Sequence, residues 1–146
     1  MPNPSTILVA TDGREQSDGA IRGGALLAEM GSVWRIVSVV PPLPVVSPEL
    51  DLRISADVTE ASREGRGQVV HEQVRRLLGT DVEVDIDVRT GHPADTISRA
   101  ALEAKATLIV TGLGRHRLID RLLADETALQ IIRAAADACA CRTAGL

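Results

Sequence analysis

Short unbroken apolar runs that alternate with stretches of helical periodicity constrain this chain more than any other feature. Residues 6–10 (TILVA) and 107–111 (TLIVT) read as central parallel strands covered on both faces, because neither run keeps a polar face for water. Residues 33–40 (VWRIVSVV) read as a further strand, stopped by Pro41 and Pro42. Between the first two strands, residues 11–16 form a loop with a glycine, and Ser17 is placed to cap a helix. That helix would turn Ile21, Ala25 and Ala28 inward and close at Gly31, where a left-handed backbone meets no Cβ.

The remaining segments continue the alternation. Residues 41–56 are proline-rich and lack periodicity, as a surface loop would. Val58, Ala61, Val69, Val70, Val74 and Leu77 recur at helical spacing, predicting a helix over 57–78, weakened by Gly65 and Gly67 and ended by Gly79. Val82, Val84, Ile86 and Val88 alternate with charged residues, the pattern of a strand at the sheet edge whose acids discourage further pairing. Pro93 opens a third helix with Ile97, Ala101 and Ala104 inward, and a fourth is expected near 126–136. A fifth strand belongs within 138–146, although ACACRTAGL lacks the valines and isoleucines of the others.

Strand and helix in strict turn imply an α/β domain, an open, mostly parallel, doubly wound sheet with helices on both faces. The 146 residues, 45% of them hydrophobic, suit one domain over the whole length, 1–146. A net charge of −4 and a lone aromatic residue, Trp34, argue against a nucleic-acid partner, which needs basic surface and stacking platforms. No stretch is long enough to span a bilayer and no export signal is evident, so the reading is cytoplasmic, without membrane contact. Cys139 and Cys141, two residues apart, define neither a disulfide framework nor a zinc site; under oxidation either would be free to bridge two chains.

ILVATDGREQSDGAI and RTGHPADTISRAALEAKATLIVTGLG resemble, respectively, the opening block and the Gly-x-Pro helix, fourth strand and glycine loop of the universal stress protein family. The resemblance runs from Thr6 to about Arg133. It implies a five-stranded Rossmann-like sheet of order 3-2-1-4-5 and a homodimer joined through the fifth strands. It also implies, in one branch of the family, ATP bound at the carboxyl ends of the first and fourth strands. On that pattern Thr11 and Asp12 match positions beside the adenine and ribose, Val39 matches an apolar contact with the base, and Gly112 matches the first glycine of the phosphate loop.

The phosphate half departs from the family pattern. Its second glycine falls on Arg115, with Gly114 one place early, and its Gly-Ser pair falls on Asp125 and Glu126, followed by Thr127 at the same helix start. Any Cβ blocks close approach of a phosphate to the main chain. A carboxylate about 5 Å from a phosphate charge costs roughly 3 kcal/mol at an effective dielectric of about 20, and a lost charge-assisted hydrogen bond costs about 1.5 to 3 kcal/mol more. Either effect weakens a micromolar ligand tenfold to a few hundredfold, so ATP in the usual pose is disfavoured. Asp125 instead suits the cap of its own helix, both acids complementing the positive end of the helix dipole.

Three alternatives stand beside this degenerate ATP site. Arg115, His116, Arg117 and Arg121 would draw the phosphates of ATP or another adenine nucleotide to a shifted position, or form ion pairs with Asp120, Asp125 and Glu126. A divalent cation would bridge Asp125, Glu126 and the phosphates. Asp12 would act as a phosphotransfer nucleophile, although no second acid lies within two residues on its strand. His71, His92 and His116 have no Ser or Cys partner that the sequence can place, so a triad has no support. The resulting expectation is a regulatory or scaffolding domain with no obligatory cofactor or metal, a homodimer with an as yet unidentified protein partner.

Overall fold

A computed structural model describes residues 5–42 and 52–112. Its elements follow one another as β1 (Thr6–Ala10), α1 (Asp18–Glu29), β2 (Val33–Val40), α2 (Leu52–Leu78), β3 (Asp85–Thr90), α3 (Pro93–Glu103) and β4 (Leu108–Thr111), with a 3-10 turn at Glu15–Ser17 before α1. Among the described residues the sheet has four strands in the order β3-β2-β1-β4, all parallel. These are the first four strands of the expected order 3-2-1-4-5. The expected fifth strand and fourth helix lie outside the described residues.

Helices cover both faces, and the alternation of side chains along β1 shows how. Ile7 and Val9 join Ile21 of α1 and Val70 and Val74 of α2 in one apolar cluster. Leu8 and Ala10 point the other way, into a cluster with Ala94, Ile97, Ala100 and Ala101 of α3. Because β1 is central and buried on both sides, it needs the unbroken apolar run that its sequence has. At the edge, β3 is only partly buried and keeps its charged residues.

Helix ends are set by local chemistry. Met30 closes α1, and Gly31 takes φ +98°, so that its amide donates to the carbonyl of Ala28 while the amide of Ser32 donates to that of Leu27. Those two bonds make a left-handed C-terminal cap that favours glycine. Pro93 occupies the first turn of α3, where its missing amide costs nothing.

Several expectations need correction. The buried face of α1 is Ala20, Ile21 and Gly24, with Ala25 and Ala28 only partly buried. A Cβ at Gly24 would stand 2.4 Å from Cγ2 of Val9 and 3.0 Å from Cε3 of Trp34, so the helix approaches the sheet where it has no side chain. α2 begins at Leu52, five residues before the expected start, because LRISA contains neither proline nor glycine to stop it. Its Val58, Ala61 and Val69 are exposed; Val70, Gln73 and Val74 face inward. β3 begins at Asp85, three residues later than the alternation from Val82 predicts. The alternation records burial, with Val84 packed against the core, whereas ladder pairing starts only at Arg35–Asp85.

Candidate functional site

The carboxyl ends of β1 and β4 lie side by side, since Ala10 pairs with Thr111. Thr11 and Asp12 leave β1 at this end, and Gly112 leaves β4 beside them. Val39 lies on β2, two residues beyond the last β1 partner, Val37, and packs against the α3-side core. Thr11, Asp12, Val39 and Gly112 are therefore gathered at one end of the sheet. Gly114, Arg115, Asp125, Glu126 and Thr127 lie outside the described residues, as do His116 and both cysteines.

Thr11 is buried and continues the β1 ladder by donating its amide to the carbonyl of Val37. Its hydroxyl donates to Oε1 of Gln73 at 2.8 Å, accepts from the amide of Gly13 at 3.1 Å and lies 2.6 Å from Oγ of Ser17. These bonds satisfy the hydroxyl inside the protein. Asp12 is exposed, yet its Oδ1 accepts from the amide of Arg14 at 3.0 Å and from the Ser17 hydroxyl at 3.1 Å. The carboxylate thus closes its own loop, a local turn that aspartate favours.

Ser17 does not cap α1 through its side chain. The 3-10 turn runs straight into the helix, so Ser17 has φ −94° and ψ 2° rather than an extended backbone, and the single proton of its hydroxyl is shared between Asp12 Oδ1 and the carbonyl of Arg14, 2.8 Å away. A Cβ at Gly112 would lie 2.6 Å from Cα of Ser17 and 2.8 Å from the carbonyl oxygen of Gln16. Backbone packing alone therefore demands glycine at this position.

Four participants were not apparent as a group in the sequence. Gln73 is 2% exposed, and its Nε2 donates to the carbonyl of Arg14 at 2.9 Å and to Oδ1 of Asp18 at 2.8 Å. Arg76 forms a two-pronged pair with Asp18 at 2.9 and 3.0 Å. That guanidinium holds the Asp18 carboxyl below its usual value, against partial desolvation and with help from Gln73. Arg66 donates to the main-chain carbonyl of Asp12 at 3.0 Å. One signal was present in the sequence: Gln73 interrupts the apolar stripe between Val70 and Leu77.

His92 and Asp95 form only a loose, exposed contact of 3.8 Å on α3. Among the described residues no group of His, Cys, Asp and Glu has the arrangement of a metal site, and no helix is long and apolar enough to cross a membrane.

Comparison with solved structures finds the same fold in several proteins. The chain is similar to a universal stress family protein from Burkholderia pseudomallei, with 26% identity, a TM-score of 0.61, and 90% of this chain and 89% of that chain covered. It is also similar to the universal stress protein UspA from Lactobacillus plantarum, with 20% identity, a TM-score of 0.69, and 90% and 92% covered. A universal stress protein in complex with cAMP has 22% identity and a TM-score of 0.58, with 90% of each chain covered. No curated protein matches the chain significantly. The family model of the universal stress proteins matches residues 4–137, nearly the whole length, and the chain belongs to the universal stress protein family.

Proposed function

We propose that this chain is a single universal stress domain with a regulatory or scaffolding role, in which the ATP site is degenerate and ATP binds weakly or not at all. The observation that carries the reading is the acidic pair Asp125–Glu126 at the positions of the family's Gly-Ser, together with Arg115 in place of its second glycine. The β4 side does not oppose it. Gly112 is accounted for by the backbone of Gln16 and Ser17, so its presence does not require a phosphate. On this reading the sequence keeps the family's residues at the nucleoside side, Thr11, Asp12 and Val39, and departs from them at the phosphate side. The reading includes a homodimer and a protein partner, and light scattering showing only monomer at micromolar concentration removes the dimer.

A second reading is an adenine-nucleotide-binding member with an altered phosphate grip, with or without slow hydrolysis. It is favoured by the grouping of Thr11, Asp12 and Val39 at the strand ends and by the similar fold of a cAMP complex. Asp12 as a nucleophile has less support, since its Oδ1 is engaged by Arg14 and Ser17. Calorimetric titration with ATP, ADP, AMP and cyclic AMP, with and without magnesium, separates the readings. Under the first, ATP shows no submillimolar affinity and the double substitution Asp125→Gly, Glu126→Ser improves binding. Submillimolar ATP binding overturns it, and the double substitution should then change little.

A further inference from the structure

We propose that Gln73 is a positioning residue that ties α2 to the loop carrying Asp12 and holds that loop closed at the carboxyl end of β1. Arg66, Val69, Gln73 and Arg76 recur at helical spacing on α2, and each meets the loop or the first turn of α1. Arg66 donates to the carbonyl of Asp12, and Arg76 grips Asp18. Val69 lies so close over Gly13 that a Cβ there would be 2.6 Å from its Cγ1. Gln73, in the centre, is buried and reaches Thr11, Arg14, Ser17 and Asp18.

The chemistry demands an amide at this position. The carbonyl of Arg14 and the carboxylate of Asp18 can only accept, so the atom facing them must donate. The Thr11 hydroxyl gives its proton to the other end of the same side chain. One residue therefore supplies both a donor and an acceptor to a buried site, and its orientation is forced. Its effect on Asp12 is indirect. By fixing Thr11, Ser17 and the Arg14 carbonyl, Gln73 holds the Ser17 hydroxyl and Arg14 amide that engage Asp12 Oδ1. The other carboxylate oxygen is then left toward solvent, near Nε of Arg14 at 3.8 Å.

Native-state hydrogen exchange on the full chain without ligand tests this coupling. The amides of Gly13, Arg14 and Ser17 each donate within the loop and report its closure. In Gln73→Met, which keeps length and volume but no hydrogen bonds, their protection should fall roughly tenfold to a hundredfold. Val9 and Ile36, in the sheet core, should lose protection only by the factor that denaturant unfolding gives for the whole domain. Gln73→Glu should open the loop further at neutral pH, since it sets a carboxylate against Asp18. Gln73→Asn, which keeps the amide on a shorter arm, gives the same selective loss where the Met variant does not fold. Loop amides that keep their protection, or that lose it by the same factor as Val9 and Ile36, overturn the proposal. Because no nucleotide is present, an ATP titration that contradicts the degenerate site leaves this result unaffected.

Discussion

Replacing Gly112 by alanine separates a packing requirement from a ligand requirement at the carboxyl end of β4. The added methyl would stand 2.6 Å from Cα and 3.1 Å from Cβ of Ser17, and 2.8 Å from the carbonyl oxygen of Gln16. Carbon atoms reach their attractive minimum at about 3.5–4.0 Å, so the two loops must part by roughly 0.9 Å. Two of the three contacts are main chain, which cannot swing aside as a side chain can. Overpacking of this kind costs about 1–3 kcal/mol, offset by about 0.4–1 kcal/mol from the stiffer unfolded chain. The net loss is on the order of 1–2 kcal/mol, a fall in Tm of roughly 2–8 °C for a domain of this size. Circular dichroism melts of the unliganded protein measure it. A Gly112→Ala variant that melts with the parent protein refutes the argument, and the glycine would then call for an explanation from a bound anion.

Neighbouring glycines on α1 should respond in opposite directions. Among the described residues Gly23→Ala meets only Cγ1 of Val110 at 3.9 Å and should stabilise by about 0.5–1 kcal/mol through helix propensity, whereas Gly24→Ala collides with Val9 and Trp34 and should destabilise by about 1–3 kcal/mol. Both are read from urea unfolding followed by Trp34 fluorescence. Oγ of Ser38 is buried with no hydrogen-bond partner among the described residues, so Ser38→Ala should be neutral or stabilising by up to about 1 kcal/mol in the same assay. A clear loss of stability in that variant would reveal a partner for the hydroxyl. Arg76→Met removes the group that depresses the Asp18 pKa below 3.8. A depressed carboxylate stabilises above its unfolded value and loses that effect as pH falls through the folded one. The stability gap between parent and variant, widest near neutrality, should therefore close below about pH 3.8 in a series of urea midpoints. A gap that stays constant down to pH 2 contradicts the assignment.

The fold was legible wherever burial leaves a periodic trace. β1 is covered on both faces and has an unbroken apolar run; β3 lies at the edge and alternates; Pro93 and Gly31 mark the helix ends they were expected to mark. What escaped was decided between elements. The inner face of α1 centres on Gly24, invisible to a search for apolar side chains, because contact there is made by an absent Cβ. The stripe of α2 is legible only in part: Val70, Val74 and Leu77 pack against the core, whereas Val58, Ala61 and Val69 are exposed. Beside them Arg66, Gln73 and Arg76 meet a polar loop, and the periodicity of hydrophobic residues cannot record a polar interface. Ser17 was legible as a helix boundary but not in its role, which depends on Asp12 and Arg14 folding back upon it.

The same distinction bears on how the candidate site is weighed. Thr11 and Asp12 match a nucleoside-binding pattern, but both hold internal bonds that the fold needs whether or not a ligand arrives. Thr11 anchors Gln73 and Gly13, and Asp12 shapes its own turn. Gly112 likewise has a reason to be glycine in the contact with Ser17. Each of these matches is thus expected of a member that binds nucleotide and of one that has lost it, and their presence moves the balance little. Discrimination rests on positions whose identity matters only to an anion. On the expected helix start, the positions of Asp125 and Glu126 come nearest to that, since Gly-Ser and Asp-Glu would both permit a helix to begin, while only the first would leave its amides uncontested for phosphate. On the proposed reading, the charge that the sequence carries at residues 125–126 therefore says more about function than all the agreement at the end of β1.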